Sequence, residues 1–98
     1  MKDAVIHLAG LAHKAGLDGV VCSPEETAWV RKKFKSDFTI VTPGIRPVGA
    51  DHGDQKRIFT PEKAIQSGAN HIVVGRPITQ ALNPREAAMG ILEAISLP

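Results

Sequence analysis

Apolar residues follow two spacings along this chain, one typical of helices and one typical of buried strands. At the start they recur every three or four positions, which predicts an amphipathic helix over residues 3–15 that ends at Gly16. Residues 18–22 then form a short, almost fully apolar run, which predicts a strand in a parallel sheet covered on both faces. The apolar positions of the helix are Val5, Leu8, Leu11, Ala12 and Ala15.

A second helix is predicted to begin after Ser23. Pro24 suits the first helical position, and Glu26 can complete a capping box with Ser23. We expect the basic run over residues 31–33 to be solvated at the carboxyl end of this helix. The side chains expected on its buried face are those of Ala28, Trp29 and Phe34.

The rest of the chain continues the same alternation. Strands are predicted over residues 38–42 and 71–74, and helical segments over residues 61–67, 77–82 and 84–95. Strands that alternate with helices predict an α/β fold with a parallel sheet and right-handed crossovers. Residues 1–98 contain no linker or low-complexity segment, so we expect no domain boundary within them.

A long segment without helical period covers residues 43–59 and is rich in Pro and Gly. Loops of this length inside a compact domain are usually functional or mobile. We expect this loop to be mobile when no ligand is bound.

Composition excludes several classes of protein. Of the 98 residues 43% are hydrophobic, too many for a disordered chain, and no apolar run approaches the roughly 18 residues of a membrane helix. The net charge of +2 gives no reason to expect nucleic-acid binding. A single cysteine excludes an internal disulfide framework and fits a cytoplasmic protein. We therefore expect neither nucleic acid nor membrane among its partners.

Candidate ligand-binding residues lie where the predicted strands end, which is where parallel α/β folds bind ligands. Gly75 directly follows the third strand, and its backbone can approach a ligand closely. Arg76 beside it carries a planar, permanently charged group suited to phosphate oxygens. A helical turn from Pro77 would add backbone N–H groups aimed at the same anion. Arg76 could alternatively pair with a structural carboxylate.

Two further candidates lie within the long loop. Arg46 comes shortly after the second strand, and Gln55 stands beside basic residues within the loop. Gln55 could reach over a phosphate, or it could belong to a solvated polar turn. Arg46 has the same two interpretations, although its place just beyond a strand end favours the ligand-binding one.

The remaining chemistry-bearing residues predict neither a metal site nor a nucleophile. The four histidines lack metal-ligand spacing. Cys22 ends a buried strand and is expected to be a packed thiol, and Ser23 is expected to act as a helix cap.

Three motifs together resemble bacterial orotidine 5′-monophosphate decarboxylases. They are VTPGIRP at residues 41–47, GDQKR at residues 53–57 and VVGRPIT at residues 73–79, preceded by AGLDGVVCS at residues 15–23. The resemblance covers essentially the whole chain, with the motifs in the right order. It implies a TIM (β/α)8 barrel, of which residues 1–98 would be the carboxyl-terminal strand–helix units with three of the eight strands.

The resemblance also implies roles for individual residues. The family converts orotidine monophosphate to UMP and CO2 in pyrimidine synthesis, without a cofactor. In this resemblance Arg76 and Gln55 bind the substrate phosphate, Gly75 and Arg46 line the same end of the site, and Pro43 lies next to the substrate. The expected ligand is therefore a nucleotide monophosphate or a phosphate.

One part of the family's pattern is missing from these 98 residues. The family's proton-donating lysine lies in an Asp-x-Lys-x-x-Asp motif, and the nearest string here, beginning at Asp54, has Phe59 in place of the second aspartate. That charged array stabilises the carbanion-like transition state. We therefore expect no catalytic residue here and no decarboxylation by this chain alone. The alternative is a free-standing phosphate-binding or structural half-barrel module.

Three strands taken from a barrel would leave two open edges and an uncovered inner face. Exposing several apolar side chains costs roughly 1.5–3 kcal/mol each, and open edges favour pairing. We therefore expect a homodimer or higher homo-oligomer, most simply with twofold symmetry.

Overall fold

The computed structural model describes residues 2–47 and 59–96. Its helices and strands alternate as the sequence predicts. In chain order they are α1 (Lys2–Lys14), β1 (Gly19–Val21), α2 (Pro24–Phe34), a 3-10 turn (Lys35–Asp37), β2 (Thr39–Thr42), α3 (Pro61–Ser67), β3 (His71–Ile72), α4 (Arg76–Thr79) and α5 (Pro84–Ser96). The third strand is two residues shorter than expected, and the predicted turn over residues 77–82 begins one residue earlier and ends at Thr79.

The three strands form one parallel sheet in the order β1-β2-β3. Gly19 pairs with Thr39, and Val41 pairs with His71. Consecutive strands are parallel neighbours joined by helices, as a crossover connection requires. The predicted α/β fold with three parallel strands is confirmed.

The two faces of the sheet differ in burial. On β2 the side chains of Ile40 and Thr42 are fully buried, whereas those of Thr39 and Val41 are only partly buried. Because side chains alternate between the faces of a strand, the helices cover the face that carries Ile40. On the neighbouring strands Val21 is 70% exposed and Val73, just after β3, is 50% exposed. The helices cover only one face of this sheet.

Local capping signals in the sequence set the helix boundaries. The Glu26 carboxylate accepts the backbone N–H of Ser23 at 3.0 Å, which is one half of the predicted capping box. The Thr60 hydroxyl accepts the N–H of Lys63 at the start of α3. Gly68 ends α3 in the left-handed conformation, with φ +117°. These contacts confirm the capping predicted for the second helix and the helix predicted over residues 61–67.

The buried face of α1 differs from the expected one. Ala9 is buried, with Val5 and Ala12 packed against the same core, whereas Leu8 is 64% exposed and Leu11 is 51% exposed. The helix is amphipathic as predicted, but Leu8 and Leu11 of its apolar pattern lie off the face that packs against the core.

The predicted buried face of α2 is confirmed for Phe34, which packs against the core, and needs correction elsewhere. Thr27 and Val30 are buried, Trp29 is partly buried and Ala28 is exposed. The helix is rotated so that a threonine, rather than Ala28, faces the end of β2.

Arg31 is a structural residue rather than a solvated one. Its guanidinium donates to the carbonyl oxygens of Gly68 at 3.0 Å and of Phe38 at 2.7 Å, and also to that of Lys35. It further donates to the side-chain oxygen of Asn70, which accepts the backbone N–H of Ile40 at 2.8 Å. The side chain therefore links α2 to the end of α3 and to β2.

Two apolar clusters make up the core. The first lies between α1, α2 and the first two strands, and it includes Val30, Phe38 and Ile40. The second lies between α3, β3 and the segment after β2, and its buried members are Ile45, Ala64 and Ala69. Within residues 2–47 and 59–96, no helix has the length and apolar character needed to cross a membrane.

Candidate functional site

The carboxyl ends of the three strands lie side by side at one edge of the sheet. The backbone N–H of Cys22, which follows β1, donates to the carbonyl oxygen of Val41 at 3.1 Å. The N–H of Val73, which follows β3, donates to the carbonyl oxygen of Thr42 at 2.9 Å. We call these strand ends, together with the residues that directly follow them, the carboxyl edge. Ligands of parallel α/β folds bind at such an edge.

Gly75 and Arg76 leave the carboxyl edge after β3. Gly75 immediately precedes α4, and a Cβ built on it would lie in open space. Arg76 is the first residue of α4 and is exposed. An accessible backbone beside an exposed guanidinium is an arrangement that suits an anion.

The backbone of α4 offers fewer donors than the sequence suggests. Pro77 has no N–H, and the N–H groups of Ile78 and Thr79 donate to the carbonyl oxygen of Gly75 at 2.9 and 3.0 Å. The expectation that a turn from Pro77 aims its own N–H groups at the anion is therefore wrong for these two residues. The donors that this turn can direct outward belong to Gly75 and Arg76.

The segment after β2 brings a second arginine to the same edge. Pro43 is partly buried and directly follows Thr42. Ile45 forms a parallel bridge with Phe59, and the N–H of Arg46 donates to the carbonyl oxygen of Phe59 at 3.0 Å. The side chain of Arg46 is only 7% exposed. A buried guanidinium needs polar partners, so Arg46 is held within the fold rather than solvated on its surface.

A buried pair of hydroxyl groups lies beneath the carboxyl edge. The Oγ1 atoms of Thr27 and Thr42 are 2.9 Å apart, and both residues are fully buried. Thr27 also donates to the carbonyl oxygen of Ser23 at 3.0 Å. Sequence reasoning missed this pair. The available signal was the alternation along β2, which places Thr42 on the same buried face as Ile40.

Cys22 is a packed thiol, as its place at the end of a buried strand predicts. Its Sγ lies 3.8 Å from Thr27 Oγ1, and it belongs to the first core cluster. Burial raises the pKa of the Cys22 thiol, and the neighbouring Glu26 carboxylate acts in the same direction. The positive charge of Arg31 opposes this rise only in part. These surroundings disfavour the thiolate that a nucleophile requires.

Of the predicted site residues, Gln55 lies outside the described residues, with the GDQKR motif and most of the loop expected to be mobile. Arg46, Pro43, Gly75 and Arg76 all lie on segments that leave two adjacent strand ends. In the part of the chain that the structure describes, no three His, Cys, Asp or Glu side chains are grouped as metal ligands would be.

Comparison with known proteins decides the family. A model of the orotidine 5′-phosphate decarboxylase / HUMPS family matches residues 1–91. The chain belongs to this family. The orotidine 5′-phosphate decarboxylase of Actinobacillus succinogenes is 58% identical over 89 residues, which cover 91% of this chain and 38% of that protein. The chain thus spans about two fifths of the length of the curated relatives that it matches.

Solved structures of the orotidine 5′-phosphate decarboxylase family have the same arrangement of strands and helices. The crystal structure of the enzyme from Lactobacillus acidophilus matches with a TM-score of 0.84 and 39% identity, covering 99% of this chain and 38% of that one. The enzyme from Pyrococcus horikoshii OT3 matches with a TM-score of 0.73 and 33% identity, covering 94% of this chain and 41% of that one. The three parallel strands are therefore part of a TIM barrel, as the motifs imply.

Proposed function

We propose that residues 1–98 are the carboxyl-terminal, phosphate-binding part of an orotidine 5′-phosphate decarboxylase barrel. Arg76 and Gln55 bind the 5′-phosphate of the nucleotide, Gly75 and Arg46 line the same end of the site, and Pro43 lies beside the substrate. The reaction of the whole protein is the conversion of orotidine monophosphate to UMP and CO2, without a cofactor. The proposed location is the cytoplasm, which the single cysteine fits.

The observation that carries this proposal is the meeting of two segments at the carboxyl edge. The carbonyl oxygen of Thr42 accepts the N–H of Val73, so the segments leading to Arg46 and Arg76 start from hydrogen-bonded neighbours. An exposed arginine beside an open glycine backbone at this sheet edge favours an anionic ligand.

In this proposal the 98 residues bind the phosphate but do not catalyse the decarboxylation. The 98 residues contain no Asp-x-Lys-x-x-Asp motif, so they lack the charged array that the family uses to stabilise the transition state. The chain alone therefore binds phosphate without decarboxylating orotidine monophosphate. Addition of the amino-terminal part of a family member as a second chain would supply the missing groups.

Titration with UMP and with inorganic phosphate, followed by calorimetry, tests the binding site. We expect Arg76→Ala to abolish binding. Lys33→Ala is the matched control, because it removes the same charge near the end of α2, at the opposite edge of the sheet. Equal affinity in wild type and Arg76→Ala would reject Arg76 as a phosphate ligand. Absence of binding in the wild type would favour the alternative, a purely structural half-barrel module.

A decarboxylation assay with and without the amino-terminal part of a relative tests whether turnover requires that part. We expect turnover only with both chains present. Turnover by the 98 residues alone would contradict the proposed inactivity.

The uncovered sheet face supports a further element of the proposal, self-association. Val21 and Val73 are largely exposed on that face, and Leu8 and Leu11 form an exposed stripe on α1. Exposure of such apolar side chains to water is unfavourable, and a second copy of the chain can cover them. We propose a twofold dimer in which the open sheet faces cover each other.

A further inference from the structure

Thr42 makes hydrogen bonds in two directions from the end of β2. Its carbonyl oxygen accepts the N–H of Val73, two residues before Gly75. Its hydroxyl meets the hydroxyl of Thr27 on α2 at 2.9 Å. Thr42 also directly precedes Pro43, so it adjoins both segments that carry the candidate phosphate-binding residues.

The protons of this hydroxyl pair can be assigned. Thr27 donates its one hydroxyl proton to the carbonyl oxygen of Ser23 at 3.0 Å. It can therefore only accept from Thr42, whose hydroxyl is the donor across the 2.9 Å contact. The resulting chain runs from Thr42 to Thr27 to Ser23, which joins the end of β2 to the residue that begins α2.

Filling the core does not by itself require a hydroxyl at position 42. Ile40 faces the same side of β2 and is equally buried, so an apolar side chain is accommodated on this face. Valine has nearly the shape of threonine but no hydroxyl, and a buried hydroxyl is unfavourable unless it is hydrogen-bonded. The directional bond therefore fixes where β2 ends relative to α2, which packing alone does not do.

We propose that Thr42 is a positioning residue for phosphate binding. It acts through Thr27, which anchors the strand end from which the segments of Arg46 and Gly75-Arg76 depart. This inference rests on the proposed phosphate site. Both threonines are fully buried, so their effect on affinity would be indirect.

The test compares hydroxyl removal with loss of packing on the same strand face. Thr42→Val and Thr27→Val are each expected to weaken UMP binding about tenfold, equivalent to about 1.4 kcal/mol, and the double variant is expected to be no weaker than either single variant. Thr42→Ser keeps the hydroxyl and is expected to bind within about twofold of wild type. Ile40→Val is the control, expected to lower the melting temperature without changing the affinity.

Affinity is measured by titration with UMP at a temperature where circular dichroism finds every variant folded. Thr42→Val binding as tightly as wild type would overturn the proposal, as would Thr42→Ser binding as weakly as Thr42→Val. An equal loss of affinity in Ile40→Val would mean that packing, rather than the hydroxyl, is responsible.

A second measurement separates this proposal from the proposed function. Backbone amide resonances of Arg46 and Gly75 are compared by NMR in the ligand-free variants. We expect Thr42→Val to shift both resonances and Thr42→Ser to leave them in place. If wild type fails to bind UMP while these shifts occur, the phosphate site is rejected and the positioning role of Thr42 stands. If the resonances do not move, the positioning role is rejected.

Discussion

Arg31 and Gly68 are in direct contact, although they lie on different helices. The guanidinium Nε donates to the Gly68 carbonyl oxygen at 3.0 Å. A Cβ built on Gly68 would lie 2.6 Å from Cγ of Arg31, closer than real atoms approach. The Arg31 side chain therefore packs against the end of α3 in space that a side chain at position 68 would occupy, and both residues are required for this contact.

Replacing Gly68 by alanine is expected to lower the free energy of unfolding by about 2 kcal/mol or more. The left-handed φ of +117° disfavours any side chain, and the new methyl group would overlap Arg31. Urea denaturation followed by circular dichroism measures the change. Gly90→Ala is the matched control, since a Cβ there meets open space within α5, and it is expected to stabilise by about 0.5–1 kcal/mol. Equal stability of wild type and Gly68→Ala would contradict the described contact.

Arg31→Lys is expected to destabilise the chain although it retains the charge. Lysine cannot reproduce the planar set of donors that bonds Gly68, Phe38 and Asn70 together. Loss of these bonds leaves partly buried acceptors unpaired, for an expected cost of about 1–3 kcal/mol. Thermal unfolding of the wild type and the variant measures this loss of stability. Lys32→Ala, an exposed neighbour, is expected to change stability by no more than about 0.5 kcal/mol. A similar small effect for Arg31→Lys would mean that its bonds contribute little.

The sequence predicts features with local causes better than those that depend on distant partners. Ser23 and Glu26 lie within one helical turn of each other, as do Thr60 and Lys63, so both caps could be predicted from spacing alone. Arg31 was misjudged because its sequence neighbours are lysines, while its partner Gly68 lies 37 positions away.

The face of α1 that packs on the core also depends on distant contacts. Periodicity predicts an amphipathic helix, and only the contacts with α2 and the sheet determine that Ala9, rather than Leu8, is buried. At the candidate site, the motifs predicted which residues leave the strand ends. The Thr27–Thr42 bond that supports them joins two elements 15 positions apart and has no local signature.

Cys22 is expected to react slowly with iodoacetamide at pH 8. Unperturbed cysteine has a pKa of about 8.5, and burial raises the pKa of the Cys22 thiol, so the folded chain has less of the reactive thiolate at this pH. Mass spectrometry follows the labelling, with the chain in 8 M urea as the reference for an unprotected thiol. We expect labelling to be at least about tenfold slower in the folded chain. Equal rates would mean that the end of β1 opens freely.

Aspartate on the open sheet face is expected to prevent self-association. Wild type is expected to sediment as a dimer or larger species, and Val21→Asp or Val73→Asp to shift it toward the 10.5 kDa monomer. A charge on that face would lose water in the dimer without gaining a partner. Met89→Asp, on an exposed position of α5, is the control and is expected to leave the assembly unchanged. A monomeric wild type would contradict the proposed dimer.

The two apolar clusters are joined through β2 and through the Arg31 bonds that link α2 to the end of α3, and this division has a thermodynamic consequence. Local opening that breaks these bonds would release the smaller unit, α3 and β3, while Val30, Phe38 and Ile40 stay packed. Arg46, Gly75 and Arg76 adjoin the smaller unit. A nucleotide bound there would slow amide hydrogen exchange chiefly in α3 and β3, so ligand binding would stabilise the weaker half of the molecule.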